Sequence, residues 1–203
     1  MGSGASKFKI ERVLFMKICI NAGHTKLGKG TGANGYLNES TETRKIVFEL
    51  MKLLADSKHE VVPAVFDSSS NNLKEAVDLA NSEGVDLFVS IHLNAGGGQG
   101  CEAFTWKGQK VVQAEKALNG LKSLGFRNRG IKDGSNLYVI KNTKMTAILF
   151  EICFVDNKTD AELFKKVGYE KIAKAIFNAI QKRGRILWLA WVISFHIRTS
   201  IFQ

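Results

Sequence analysis

Val85-Asp86-Leu87-Phe88-Val89-Ser90-Ile91 is a near-continuous apolar run that stops at His92. A strand with water on one face alternates apolar and polar residues, so an unbroken run predicts a strand covered on both faces of a largely parallel sheet. The chain before it carries two more such segments. Ile18 to Ala22 is a short apolar strand ending at Gly23, and Val61 to Phe66 is another, with Pro63 suited to a sheet edge. Between them, the polar caps Asn38-Glu39-Ser40 precede Ile46, Val47, Leu50, Met51, Leu53 and Leu54 at helical spacing, which puts Glu39 at a helix start. Leu73 to Ser82 is a second helix, with Leu73, Ala76, Val77 and Ala80 on one face.

After His92, Ala95-Gly96-Gly97-Gly98-Gln99-Gly100 reads as a flexible loop. Cys101 to Trp106 is a strand and Val111 to Leu124 a helix. Phe126 to Asn136 is a polar, basic loop containing Arg127, Arg129 and Lys132. Leu137 to Ile140 and Ala147 to Phe154 are strands, and Ala161 to Ile180 is helical with an interruption at Gly168. Strands alternating with helices of this length predict an α/β fold: an open, largely parallel twisted sheet with helices on both faces. Ligands gather at the carboxyl ends of the strands in such sheets. His24 and His92 fall there, and Glu151 falls in the middle of the last apolar strand, where an unpaired carboxylate is costly.

The chain has 203 residues, 45% of them hydrophobic, and one proline, which fits one globular domain rather than a disordered chain. The formal charge of +10 is unevenly placed, with +2 in residues 1–15, +4 in 181–203 and only +4 in the body, 16–180. Such a surface suits an anionic polymer: nucleic acid, a membrane face or an acidic cell wall. Cys19, Cys101 and Cys153 are odd in number, widely spaced and all in predicted strands, which suggests neither a disulfide framework nor a CxxC knuckle and predicts buried free thiols.

No secretory signal is visible, because Val13-Leu14-Phe15-Met16 is broken at Lys17 before an apolar core could form. Met1-Gly2-Ser3-Gly4-Ala5-Ser6 matches an N-myristoylation pattern, but 1–15 reads better as a small-residue expression leader, with Met16 as the natural start. Beyond Lys182-Arg183-Gly184-Arg185, the run Ile186 to Phe195 is too short to span a bilayer, which needs roughly 20 apolar residues. This tail, 181–203, has three readings: non-native read-through, packing against the body or a second copy, and contact with a membrane surface.

Asn21 to Glu39 holds three competing chemistries. Gly23-x-x-x-x-Gly28-Lys29 follows a strand but continues with Gly30 where a phosphate loop needs Ser or Thr. Gly30-x-Gly32-x-x-Gly35 satisfies a dinucleotide pattern, yet begins seven residues after the strand-ending Gly23, too late for the pyrophosphate turn. The third reading is a metal site. A zinc hydrolase wants three nitrogen or oxygen ligands, an open position for water and a carboxylate to move protons. His24, His92, the helix-start Glu39 and the mid-strand Glu151 supply such a set, while His59 lies in a polar turn and His196 in the tail. Spacing alone leaves this open against purely structural roles for the same residues.

Five ordered motifs narrow the choice: Lys17-Ile18-Cys19-Ile20-Asn21-Ala22-Gly23-His24, Asn38-Glu39, Ser90-Ile91-His92-Leu93-Asn94-Ala95, Asn128-Arg129-Gly130-Ile131-Lys132, and Ala147-Ile148-Leu149-Phe150-Glu151 with Asp156-Asn157. Together they resemble the zinc-dependent N-acetylmuramoyl-L-alanine amidases, in particular the catalytic domains of phage and prophage endolysins, over residues 16–180. The resemblance implies zinc ligands at His24, Glu39 and His92 and a catalytic glutamate at Glu151; Asn94 and Arg129 are candidate substrate contacts, with a turn cap and a solvated surface charge as the alternative readings of the two. Thr146 departs from the pattern, because many family members place a proline before the last strand. The implied activity is hydrolysis of the amide between N-acetylmuramic acid and L-alanine in peptidoglycan, with Zn2+ as cofactor.

Peptidoglycan is then the expected substrate and anionic wall polymers a further partner, with no nucleic acid and no transmembrane span; the oligomeric state stays open. The expected location is synthesis in the cytoplasm without a signal and action at the bacterial cell wall after release at lysis. Endolysins usually add a wall-binding module, and the sequence shows none. Two alternatives remain: a zinc carboxypeptidase acting on stem peptides, and a non-catalytic wall- or membrane-binding protein.

Overall fold

The computed structural model describes residues 15–28 and 30–181, together with a two-residue pairing nearer the ends. In that pairing β1 (Arg12–Val13) runs antiparallel to β8 (Arg183–Gly184), as a unit separate from Phe15–Gln181. The expectations for the leader and for most of the tail, including His196, lie outside the described residues.

The six strands of the main unit are β2 (Lys17–Ala22), β3 (Glu60–Ala64), β4 (Leu87–Asn94), β5 (Cys101–Thr105), β6 (Asn128–Asp133) and β7 (Thr146–Phe154), in the order β3-β2-β4-β7-β5-β6. All neighbours are parallel except β5 and β7. The helices are α1 (Glu39–Asp56), α2 (Asn72–Glu83), α3 (Val112–Ser123), α4 (Tyr138–Asn142), α5 (Lys158–Val167) and α6 (Tyr169–Ile180). The expected open, mostly parallel α/β sheet is what the chain forms. Pro63 lies in the edge strand β3, and Gly168, at φ 82°, separates α5 from α6.

Residue parity along the strands explains why the apolar runs are unbroken. Leu87, Val89, Ile91 and Leu93 of β4 join Ile18 and Ile20 of β2 and Ile148 and Phe150 of β7 in a core shared with α1, α3 and α6. Phe88, Cys19, Ala147 and Leu149 point the other way, into a smaller core with α2 and Val139 and Ile140 of α4. Both faces are therefore dry over most of each strand. Toward the carboxyl ends the second face turns polar, with Asn21, Ser90, His92 and Glu151 on the parity of Cys19 and Phe88.

Three local expectations were different in the structure. Residues 128–133, expected as loop, form β6, an edge strand with one partner and one apolar side chain, so no alternation announces it. Leu137 to Ile140, expected as a strand, enters the short helix α4, because Val139 and Ile140 are both buried on the same side, which a strand's alternation forbids. The glycine loop after β4, expected to be flexible, is pinned. Asp156 Oδ2 accepts from Gly96 N at 2.8 Å and Gly97 N at 2.9 Å, Asn157 Nδ2 donates to Gly98 O at 2.9 Å, and Asp160 Oδ2 accepts from Gly100 N at 2.8 Å.

Candidate metal centre

Three segments bring His24, Glu39 and His92 together at the carboxyl edge of the sheet. His24 follows β2 with φ at 65°, a left-handed conformation unusual for a residue with a Cβ. It is held there from both sides: Gly23 N donates to Ile91 O at 2.9 Å, and Arg44, buried on α1, reaches His24 O at 3.3 Å and Phe66 O at 2.6 Å. Glu39 opens α1, where Asn38 caps the helix by accepting from Thr41 N at 2.9 Å. The helix N-terminus favours a carboxylate at this point. His92 comes from β4 and is 8% exposed.

One carboxylate joins the two rings. Glu39 Oε1 lies 3.2 Å from His24 Nε2 and 3.1 Å from His92 Nδ1, and it also accepts from Leu93 N at 3.2 Å. Its Oε2 accepts from Ala33 N at 2.8 Å. Ligand atoms of the three residues all lie within 4.8 Å of one another. His24 Nδ1 is 3.1 Å from Gly30 O, a hydrogen bond that orients the ring with Nε2 toward Glu39. The Nε2 of His92 is buried and unpartnered among the described residues. Two imidazoles and a carboxylate, with a ring nitrogen oriented from behind and a buried nitrogen left over, fit a borderline divalent metal.

The electrostatics agree with that fit. Hydrogen bonding to Glu39 raises the pKa of His24 against the effect of burial. Burial pushes Glu39 up, but the hydrogen bonds from His24 and His92 prevail and hold its carboxyl well below the usual range. Three donors aimed at one point, one of them strongly acidified, make a pre-arranged site whose charge a cation can take over from protons.

Two glycines make room for the cluster. A Cβ on Gly23 would come 2.4 Å from the His92 ring, and one on Gly32, at φ 78°, would come 2.6 Å from Glu39 Oε2 and 2.7 Å from His24 Cδ2. Gly28 and Gly30 also have positive φ but a Cβ at either meets nothing within 4 Å among the described residues. The glycine-rich loop is thus slack at one end and a close-fitting wall at the other.

Glu151 is the ladder partner of His92 on β7, and Glu102 of β5 is the ladder partner of Glu151. The three side chains therefore stand in a row on one face. Glu151 Oε2 is covered and unpartnered among the described residues. Burial first, then the charges of Glu39 and Glu102, raise its pKa well above the carboxylate range. Glu102, which sequence reasoning missed, is 5% exposed and fully engaged: Oε1 accepts from Asn94 Nδ2 at 2.8 Å and Oε2 from Arg129 Nε at 2.7 Å. A charge inside the predicted strand Cys101 to Trp106 was the available signal, the same one that singled out Glu151.

Two register shifts of one residue aim this end of the row. Between His92 and Asn94 the partner advances from Glu151 to Phe154, and between Cys101 and Ala103 it advances from Asn128 to Ile131. Such bulges re-aim side chains next to functional sites. Here they bring Phe154 and Arg129 together, with the guanidinium carbon 5.0 Å from the ring centroid. The two expected substrate contacts, Asn94 and Arg129, both reach Glu102.

A family description, N-acetylmuramoyl-L-alanine amidase, matches residues 18–182. The chain belongs to the N-acetylmuramoyl-L-alanine amidase family. Among its relatives, the N-acetylmuramoyl-L-alanine amidase CwlM of Bacillus licheniformis is 34% identical, covering 82% of this chain and 68% of CwlM. The endolysin of Bacillus phage SPP1 is 35% identical over 75% of this chain and 59% of the endolysin. The solved catalytic domain of the CD27L endolysin targeting Clostridia Difficile superposes with a TM-score of 0.74 at 33% identity, covering 81% of this chain and 96% of that domain. The chain spans about half the length, 52% and 51%, of two Clostridium perfringens relatives. Family membership accords with the six-stranded sheet and with a metal site. Among the described residues no helix is long and apolar enough to cross a membrane.

Proposed function

We propose that this chain hydrolyses the amide bond between N-acetylmuramic acid and L-alanine in peptidoglycan, with a zinc ion held by His24, Glu39 and His92 and with Glu151 as the proton carrier. The observation that carries the reading is the convergence of those three side chains within 4.8 Å, beside a covered carboxyl in the next strand. A zinc ion there would supply Lewis acidity, polarising the lactyl carbonyl and lowering the pKa of water to about 7.

The chain's own groups do the rest. Gly30 O and Leu93 N fix the orientation of His24 and Glu39. Glu151 Oε2 has no competing partner among the described residues, and burial makes it a stronger base than an exposed carboxylate. It takes the proton released as water attacks the carbonyl and returns it to the departing amine of L-alanine. Asn94 and Arg129 hold Glu102 in place beside it.

The catalytic unit is residues 16–180, a reading supported by the compact unit Phe15–Gln181. Its place of action is the bacterial cell wall, where the positive body suits anionic wall polymers. Purified wall incubated with the zinc-loaded protein should release new alanine amino termini and lactyl carboxyls; termini from other stem residues would refute the assignment. Glu151→Gln should retain zinc and lose activity by about 10²–10⁴-fold, and full activity in that variant would remove Glu151 from the proton step.

A further inference from the structure

Arg129 is fixed on two sides and open on the third. Its Nε donates to Glu102 Oε2 at 2.7 Å and its Cζ lies 5.0 Å from the centroid of the buried Phe154 ring. A guanidinium carries five N–H donors in a planar fork. Nε uses one, and among the described residues no hydrogen-bond partner takes those on Nη1 and Nη2. The side chain is 32% exposed, against 7% for Glu102, so the unengaged donors are left to its open side. A fork held by a carboxylate at one edge and an aromatic ring on its face is pre-oriented for a second, bidentate anion.

Its place in the sheet selects the anion. Glu102 faces Glu151 across the β5–β7 ladder, and Arg129 lies one strand further on. Two interstrand steps of about 4.8 Å put it roughly 10 Å from the proton carrier. The carboxylates at this edge are already committed, Glu39 to the two imidazoles and Glu102 to Asn94 and Arg129, and Glu151 Oε2 is covered, so the open donors of Arg129 are left for a carboxylate of the bound peptide.

On the amidase reading, on which this step rests, we propose that Arg129 binds a carboxylate of the stem peptide, the free α-carboxyl of the residue that follows L-alanine. In stem peptides that residue is joined to its successor through its side-chain carboxyl, leaving the α-carboxyl either free or amidated. Two residues of extended chain reach about 7 Å from the scissile nitrogen, and the length of an arginine side chain covers the remainder. Arg129 thereby selects between walls with free and with amidated stems.

The test uses two muramoyl dipeptides whose side-chain carboxyl is capped as an amide, as in the longer stem, and that differ only in whether the α-carboxyl is free or a carboxamide. The zinc-loaded protein should favour the free form at least tenfold in kcat/KM, mainly through KM. Arg129→Gln should bring the ratio to within twofold of one, and Arg129→Lys should keep part of it through charge without the fork. Because Arg129→Gln strands Glu102, the pair Glu102→Gln/Arg129→Gln is measured beside it and should show the same loss of preference. Calorimetric titration of the corresponding product dipeptide, L-alanyl-D-glutamate with its γ-carboxyl capped as an amide, against its α-carboxamide should show the same Arg129-dependent preference without turnover. A wild-type ratio near one, or variants that slow both substrates equally and keep the ratio, overturns the proposal while leaving the amidase reading in place. Dipeptide binding that depends on Arg129 in a protein that cleaves neither these substrates nor purified wall supports the anion site and refutes the amidase reading instead.

Discussion

Replacing Gly32 with alanine tests whether the loop between β2 and α1 shapes the metal centre or merely spans it. The new Cβ would sit 2.6 Å from Glu39 Oε2, where ordinary contact begins at 3.4 Å, so the carboxylate must retreat by about 0.8 Å. Metal–ligand distances tolerate only about 0.2 Å, and His24 Cδ2, 2.7 Å away, closes the other side. The displacement exceeds the tolerance severalfold. Gly32→Ala should weaken zinc binding by about 10–100-fold, the range seen when groups supporting a ligand are lost.

Backbone strain must be separated from this contact, and the loop supplies its own control. Gly28 has φ 81° against 78° for Gly32, yet a Cβ there meets nothing within 4 Å among the described residues. Both alanines should cost about 1–2 kcal/mol of stability for their left-handed conformation, read from denaturant unfolding of the metal-free proteins. Only Gly32→Ala should lose zinc affinity in competition titrations against a chromophoric chelator. Equal zinc affinities in the two variants would refute the argument, since the cradle would then yield without effect.

The metal-free protein should be most stable in mild acid. His24 and Glu151 have raised pKa values, so the folded state holds their protons more tightly and loses stability as pH rises through them, while the depressed Glu39 loses its contribution as pH falls below about 4.3. Thermal unfolding across pH should show that maximum, and zinc binding should release protons, read as a dependence of calorimetric heat on buffer ionisation. Asp160→Ala should destabilise the fold by about 2–4 kcal/mol in denaturant titrations, because buried Asp160 accepts from both Gly100 N and Phe154 N and its loss strands both donors. Burial pushes Cys19 and Cys101 up to about 12 and Cys153 upward as well, so no thiol should react with a disulfide reagent at pH 8 until the protein unfolds.

The sequence by itself determined the sheet and the chemistry's raw material. Apolar runs at 18–22, 87–91 and 147–150 are legible because both faces of those strands are dry, and capping at Asn38 with apolar residues at helical spacing marks the start of α1. Histidines at strand ends and carboxylates at a helix start and inside an apolar strand are costly or conspicuous there, so His24, His92, Glu39 and Glu151 stand out in the sequence alone. Only the tertiary structure decided what ladder register and side-chain reach control. Edge strand β6 has no pattern of its own and exists because β5 offers it hydrogen bonds, and α4 forms where no strand position is left for its paired apolar residues. The row His92, Glu151, Glu102 depends on strand order, and Arg129 joins it through a one-residue register shift, a property of pairing between segments far apart in the chain. Local sequence encodes burial and periodicity. Which polar groups meet depends on how the strands are ordered and registered, and that is settled only when the sheet assembles.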